Sequence, residues 1–251
     1  MYIDTHCHLS IEDYSDINSI INDNRSAGVE KIIISGCTKD SIIESLDLAK
    51  QYPDIYLTLG FHPSEAKNIS NYDINVLKQQ IKEDKVVGIG EIGLDYHYGK
   101  EDVELQKQLF RDQMKIADEF NLPVVIHSRD AVFDTISILK EFPNVHGVIH
   151  CFSGSVEVAN IYISLGYLLG IGGVLTFKNS NLYKVIENVD VNNIVFETDS
   201  PYLTPEPYRG KINSSKYIPI ISKRVSEILG IDEKKISKAV LNNTYSLFDL
   251  K

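Results

Sequence analysis

Short apolar runs alternate with longer amphipathic stretches from one end of the chain to the other, and few folds accept that pattern. The runs cover residues 2–9, 31–37, 55–62, 86–94, 124–128, 147–152, 167–174 and 194–199. Most are rich in Ile, Val, Leu and Gly, the composition of strands buried on both faces. Between them lie segments with 3.6-residue apolar spacing and capping residues: 17–27 after Asp16, 40–52 after Thr38, 74–83 after Asp73, 101–120, 131–141 after Asp130, 156–165 after Ser155, and 182–188 after Ser180. Two more, 215–229 and 232–242, close the chain. Eight strands, each followed by helical sequence, predict the α/β class and a single (β/α)8 TIM barrel over residues 1–251. An open doubly wound sheet is the rival, because periodicity alone does not show closure. No linker, repeat or low-complexity tract divides the chain. The Pro-rich stretch 200–215 reads as an ordered functional loop.

Composition narrows the function classes. The 251 residues carry a formal net charge of -10, which disfavours gripping nucleic acid through a broad basic face. A small site that meets phosphate through bound cations stays open, since such ions can be the largest local charges. Three cysteines without framework spacing argue against a disulfide scaffold and suit a reducing compartment. The amino-terminal residues show neither a basic start nor an apolar core of the signal-peptide kind. No apolar run reaches membrane-spanning length. The expectation is a cytoplasmic protein with no membrane association and no obligate protein partner.

The chemistry sits where the predicted strands end. Six of the seven histidines lie in or beside strands, most near the carboxyl ends, which form the active-site face of a (β/α)8 barrel. His6 and His8 are two apart in the first strand, so strand parity places both on one face with Cys7 pointing away. Glu91 lies in Gly90-Glu91-Ile92-Gly93-Leu94-Asp95 of the fourth strand, and a buried carboxylate needs a partner or a metal. His127 ends the fifth strand, His150 lies in the sixth, and Glu197 and Asp199 share parity in the eighth. One such group inside a barrel is a satisfied core polar residue. Five strands contributing together point to a metal site, because each unpaired buried polar group costs about 1–3 kcal/mol.

Taken together the motifs are specific. They are Asp4-Thr5-His6-Cys7-His8-Leu9, Gly60-Phe61-His62-Pro63, Gly90-Glu91 through Asp95-Tyr96, Val125-Ile126-His127-Ser128-Arg129, His150-Cys151-Phe152-Ser153-Gly154, and Glu197-Thr198-Asp199-Ser200-Pro201 running on to Arg209-Gly210-Lys211. In this order and over nearly the whole chain, the sequence resembles the TatD family of metal-dependent DNases, within the amidohydrolase-like barrels. Where the family often reads Asn-x-Pro, this chain reads Asn213-Ser214-Ser215-Lys216.

The resemblance implies two divalent ions, drawn from Mg, Mn, Zn or Ni. His6, His8 and Asp199 would hold one, His127 and His150 the other, with Glu91 bridging. It also implies hydrolysis of DNA phosphodiesters, as a 3′-5′ exonuclease acting on single strands or 3′ ends, by a water whose pKa two ions lower from about 15.7 toward about 7. Asp199 and Glu91 are the candidate catalytic residues, Asp199 as ligand and proton acceptor. Glu197 is expected to orient a ligand histidine or Thr198, and Asp95 to fix the strand-four loop or touch substrate. His62, Arg129, Arg209 and Lys211 are candidate phosphate contacts. His97 and His146 are read as non-ligands, and Cys7 and Cys151 as small buried residues. Tyr96, Tyr98, Phe152, Phe177 and Tyr202 could stack bases or merely pack loops. Competing readings are a hydrolase of another bond, such as an amide, an ester or D-aminoacyl-tRNA, and a binding protein with structural metal.

Overall fold

The computed structural model describes residues 1–99 and 101–250. In chain order its main elements are β1 (Tyr2–Cys7), α1 (Ile17–Ser26), β2 (Val29–Gly36), α2 (Lys39–Gln51), β3 (Ile55–Leu59), α3 (Asn71–Gln80), β4 (Val86–Asp95), α4 (Val103–Phe120) and β5 (Val124–Arg129). The order continues with α5 (Val132–Leu139), β6 (Gly147–Ile149), α6 (Val156–Ser164), β7 (Tyr167–Ile171), α7 (Leu182–Asn188), β8 (Ile194–Phe196), α8 (Ile218–Leu229) and α9 (Glu233–Phe248). The strands follow one another in the sheet in chain order. Parallel neighbours in chain order, with helical crossovers between them, give the expected (β/α)8 class.

Two compact units make up the chain: Met1–Ile34 with His150–Asp249, and Ser35–Ile149. In the first, β1 pairs with β2 at Asp4 opposite Ile32, and β7 with β8 at Ile171 opposite Phe196. The chain leaving β8 lies against the end of β1: Asp199 N–H donates to the His6 carbonyl at 3.0 Å, and His8 N–H donates to the Ser200 carbonyl at 2.7 Å. The last strand thus meets the first, the contact a barrel requires and an open doubly wound sheet lacks. In the second unit, β3 to β6 pair in sequence, with Leu59 opposite Ile89, Gly93 opposite His127 and Ile126 opposite Ile149.

Burial explains the strand composition. Ile33, Leu57, Leu59, Ile89, Ile92, Val125, Ile126, Leu169, Ile171 and Val195 are all essentially inaccessible. Each such side chain contributes about 1.5–3 kcal/mol relative to its exposed state. Helices pack an apolar stripe on the strands. In α4 that stripe is Leu109, Phe110, Met114, Ile116 and Ala117, all buried. Among the described residues, no helix is long and apolar enough to cross a membrane.

Several predicted boundaries shift for physical reasons. Predicted strands 2–9, 55–62, 147–152, 167–174 and 194–199 overrun the ladders, which end at Cys7, Leu59, Ile149, Ile171 and Phe196. Many of the overrun residues, such as Leu9, Phe61, Phe152 and Glu197, are buried, but their backbones have left the sheet. His8, Glu197 and Asp199 therefore stand beyond their strands, where parity no longer sets direction. Helix α3 is capped by Ser70 rather than Asp73; Asp73 is the third helical residue of a capping box and accepts from Ser70 N–H at 2.8 Å. Helix α9 runs on to Phe248, because Ile236, Val240, Thr244 and Phe248 continue one buried stripe.

Gly147 shows how tightly the second unit is packed. A Cβ there would lie 2.0 Å from the Val124 carbonyl oxygen, backbone that cannot yield cheaply. Gly147→Ala is expected to lower stability by about 3 kcal/mol, read as a lower urea midpoint at unchanged slope; an unchanged midpoint would refute the packing account.

Candidate metal centre

Two clusters of imidazoles and carboxylates stand at strand exits, one in each unit. In the first, His6 comes from β1, His8 follows it, His150 follows β6, and Asp199 follows β8. His6 Nε2 and His8 Nε2 lie 3.6 and 3.5 Å from the same Asp199 oxygen, Oδ1. The His6 and His150 rings have centroids 4.0 Å apart. Ligand atoms of His6, His150 and Asp199 all lie within 4.8 Å of one another. Donors bound at about 2.1 Å to one ion stand about 3.0–3.5 Å apart, so this spacing fits a divalent cation better than a direct hydrogen bond. The nitrogen and oxygen set admits Mg, Mn, Zn or Ni.

The backbone aims Asp199. Its φ is +55°, a left-handed conformation that costs an L-residue energy and is held where the surroundings demand it. Burial pushes the Asp199 carboxyl up, but the facing His6 and His8 imidazoles outweigh it and hold the group well below the usual carboxylate range.

Behind this cluster lies a buried polar link between the first and last strands. Thr198 donates to Asp4 twice, from its N–H to Oδ1 at 3.0 Å and from its hydroxyl to Oδ2 at 2.5 Å. His6 N–H also donates to Asp4 Oδ1, at 3.3 Å. Asn213 is fully buried and donates to the carbonyls of Thr198 at 2.9 Å and Tyr202 at 2.5 Å. Glu197, also fully buried, accepts from Cys151 N–H at 2.5 Å and stands 3.5 Å from His150 Nδ1. Of the two partners expected for Glu197, the geometry supplies His150. Gly170 makes the room: a Cβ there would lie 2.2 Å from Glu197 Oε2.

In the second unit the His127 ring is held between two acids. Its Nδ1 lies 2.7 Å from Glu91 Oε1 and its Nε2 3.3 Å from Asp95 Oδ2. The His62 ring centroid is 4.6 Å from that of His127, and His62 Nε2 is 4.0 Å from Glu91 Oε1. Ligand atoms of His62, Asp95 and His127 lie within 4.8 Å of one another, so His62 and Asp95, expected as substrate or loop residues, also stand in ligating position. Burial pushes the Asp95 carboxyl up, yet hydrogen bonds from His127 and from His97 N–H carry it below its ordinary value.

Two glutamines of α4 hold this cluster's backbone. Gln113 accepts from Phe61 N–H at 2.6 Å and donates to the Phe61 carbonyl at 3.0 Å, beside His62. Gln106 does the same for Asp95, at 2.9 Å each way. Both are buried, seven residues apart on the apolar face of the helix. Each amide pairs with both backbone groups of one residue at or just past a strand end, as a neighbouring strand would. Sequence reasoning missed these glutamines and Asn213; a glutamine within the apolar stripe of a helix was the available signal.

The remaining candidates lie further out. Arg129 is exposed with its guanidinium 5.4 Å from the Tyr98 ring centroid. Arg209 stacks over Phe177 at 4.1 Å and donates to the Thr204 carbonyl, and Lys211 sits over Tyr208 at 5.3 Å. His97 pairs with Asp130 at 3.2 Å, and His146 is exposed at the start of β6. Cys7 is buried and its thiol donates to the Ile33 carbonyl.

Comparison with known proteins follows the same lines. The TatD related DNase family matches residues 3–249. The chain is 37% identical over 252 residues to an uncharacterized metal-dependent hydrolase, YabD, of Bacillus subtilis, covering 99% of each chain. It is 33% identical to YjjV of Escherichia coli, also named an uncharacterized metal-dependent hydrolase, over 99% of this chain and 98% of that one. The crystal structure of the TatD homologue YjjV superposes with a TM-score of 0.93, at 32% identity, covering 100% of this chain and 98% of that chain. A (β/α)8 barrel with imidazole and carboxylate clusters at its strand exits is the architecture of a metal-dependent hydrolase. The chain belongs to the TatD family.

The Asp4 link gives a pH prediction. Burial dominates and raises the Asp4 carboxyl from 3.8 to about 7, against the hydrogen bonds of Thr198. An acid raised in the folded state contributes stability that is complete below its ordinary value, about pH 4, and is lost as pH rises through about 7. In metal-free protein, Asp4→Asn should therefore gain in melting temperature relative to wild type between pH 5 and pH 8. A constant difference across that range would show that Asp4 is not buried as an acid.

Proposed function

We propose that these imidazole and carboxylate donors hold two divalent ions and that the protein hydrolyses phosphodiester bonds of DNA, releasing nucleotides from the 3′ end of single strands. His6, His8 and Asp199 would hold one ion and His127 and His150 the other, with Glu91 a ligand that both would share. The observation that carries this reading is the matched placement of acid and imidazole donors at strand exits, the end at which a (β/α)8 barrel gathers its active site. The DNase in the family's name supports the choice of bond.

Bound divalent ions supply Lewis-acid charge and a water of lowered pKa. The chain's own residues do the rest. Asp199 would take up the proton released by the attacking water. Glu197 fixes the His150 ring through Nδ1, and Gln106 and Gln113 fix the backbone at Asp95 and at Phe61, next to His62, so that little reorganisation is needed during reaction. His62, Arg129, Arg209 and Lys211 bind backbone phosphate, and their few positive charges suit an enzyme that engages a strand end rather than a long duplex face.

Purified protein with Mg or Mn is expected to release mononucleotides from single-stranded DNA, and a chelator to stop it. Glu91→Ala should lower turnover about a thousandfold, the loss of about 4 kcal/mol of transition-state stabilisation, with little change in the circular dichroism spectrum. Absence of product from folded, metal-loaded protein removes the DNase reading, and hydrolysis of amides or other esters alone would move the assignment to another bond.

A further inference from the structure

The second unit contains a cavity of about 410 Å³ that opens off its ligand cluster through His62 and Asp95. One wall is the turn Pro63–Glu65 with Ala66 and Lys67, the other is Tyr98 and Gly99 after β4, and Gln106 of α4 also lines it. This volume lies within the usual range for small-ligand sites. Its position beside the proposed hydrolytic centre makes it the space next to a reacting phosphate.

The wall chemistry narrows the occupant. Tyr98 presents an exposed aromatic ring, and the Arg129 guanidinium stands 5.4 Å from its centroid. An aromatic face stacks any nucleobase. The amide, hydroxyl and ammonium donors that could read a base edge are already engaged: Gln106 with both backbone groups of Asp95, Ser64 with His62 Nδ1 at 2.8 Å, and Lys67 with Asp102 at 2.8 Å. Specific readout needs unspent donors and acceptors at base edges, so this wall discriminates poorly among bases. Among the described lining residues the charged groups are Asp95, Glu101 and Asp102 against Lys67. Such an acceptor-rich wall suits a free hydroxyl and repels a second phosphate.

We propose that this cavity, between the Pro63–Glu65 turn and Tyr98, receives the terminal nucleoside of a DNA strand with a free 3′ hydroxyl, stacked on Tyr98 without regard to base. The proposal rests on the DNase reading and adds to it an end-recognition subsite.

The test uses fluorescence anisotropy with the full-length protein and 5′-labelled oligonucleotides whose phosphorothioate linkages resist cleavage, beside a product assay on ordinary DNA. Tyr98→Ala should weaken binding about tenfold and Tyr98→Phe restore it, since stacking needs only the ring. The four possible 3′-terminal bases should bind within about threefold of one another. A 3′ phosphate should weaken binding about tenfold, and Glu101→Gln should reduce that penalty. DNA hydrolysis by wild type combined with unchanged affinity of Tyr98→Ala would overturn the subsite alone. Equal binding of 3′-phosphorylated and 3′-hydroxyl strands would overturn it too. If wild type neither binds nor cuts DNA, the DNase reading fails and the subsite with it.

Discussion

Asp199, with His6 and His8 both facing one of its oxygens, is the arrangement on which much of the rest depends. A carboxylate largely withdrawn from water is costly unless donors or a cation offset it. Two imidazoles do so here, at distances longer than hydrogen bonds and suited to an intervening ion. To aim that carboxylate the backbone turns left-handed at Asp199 itself, three residues past the last strand, and the turn is held by Thr198 on Asp4 and Asn213 on Thr198. The contact between the chain's first and last strands and the geometry of the site are therefore produced by the same few buried hydrogen bonds.

Strand exits face a general difficulty, which each unit solves with side chains. Where the ladder stops, N–H and C=O groups remain buried without strand partners. In the first unit Glu197 caps Cys151 N–H and Asn213 takes two carbonyls. In the second, Gln113 and Gln106 each take both groups of one residue. These amides and acids hold the backbone rigid at the strand ends that carry ligand residues, and a rigid surround is what a metal cage requires of its protein.

Much of this was legible in the chain. The eight apolar runs found all eight strands, and Asp16, Thr38 and Ser155 marked their helices as caps. The bias of His and acid residues toward strand ends pointed to His6, His127, His150 and Asp199 before any geometry was known. Strand parity placed His6 and His8 on one face, where both meet Asp199, but the predicted strands ran too far at His8, Glu197 and Asp199, because hydrophobicity continues past the last ladder bond while the backbone leaves the sheet. Asp73 looked like a cap because the pattern marks acids near helix starts without separating a cap from the third residue of a capping box.

By itself the sequence determined the alternation of strand and helix and the chemical kind of the site, because burial periodicity and ligand-type residues are local properties of the chain. Only the tertiary structure decided that Asp199 lies between His6 and His8, that Glu197 serves His150, and that Gln106 and Gln113 hold Asp95 and Phe61. These are pairings between residues distant along the chain, selected by which buried groups must satisfy one another once the backbone is closed, and periodicity carries no record of them.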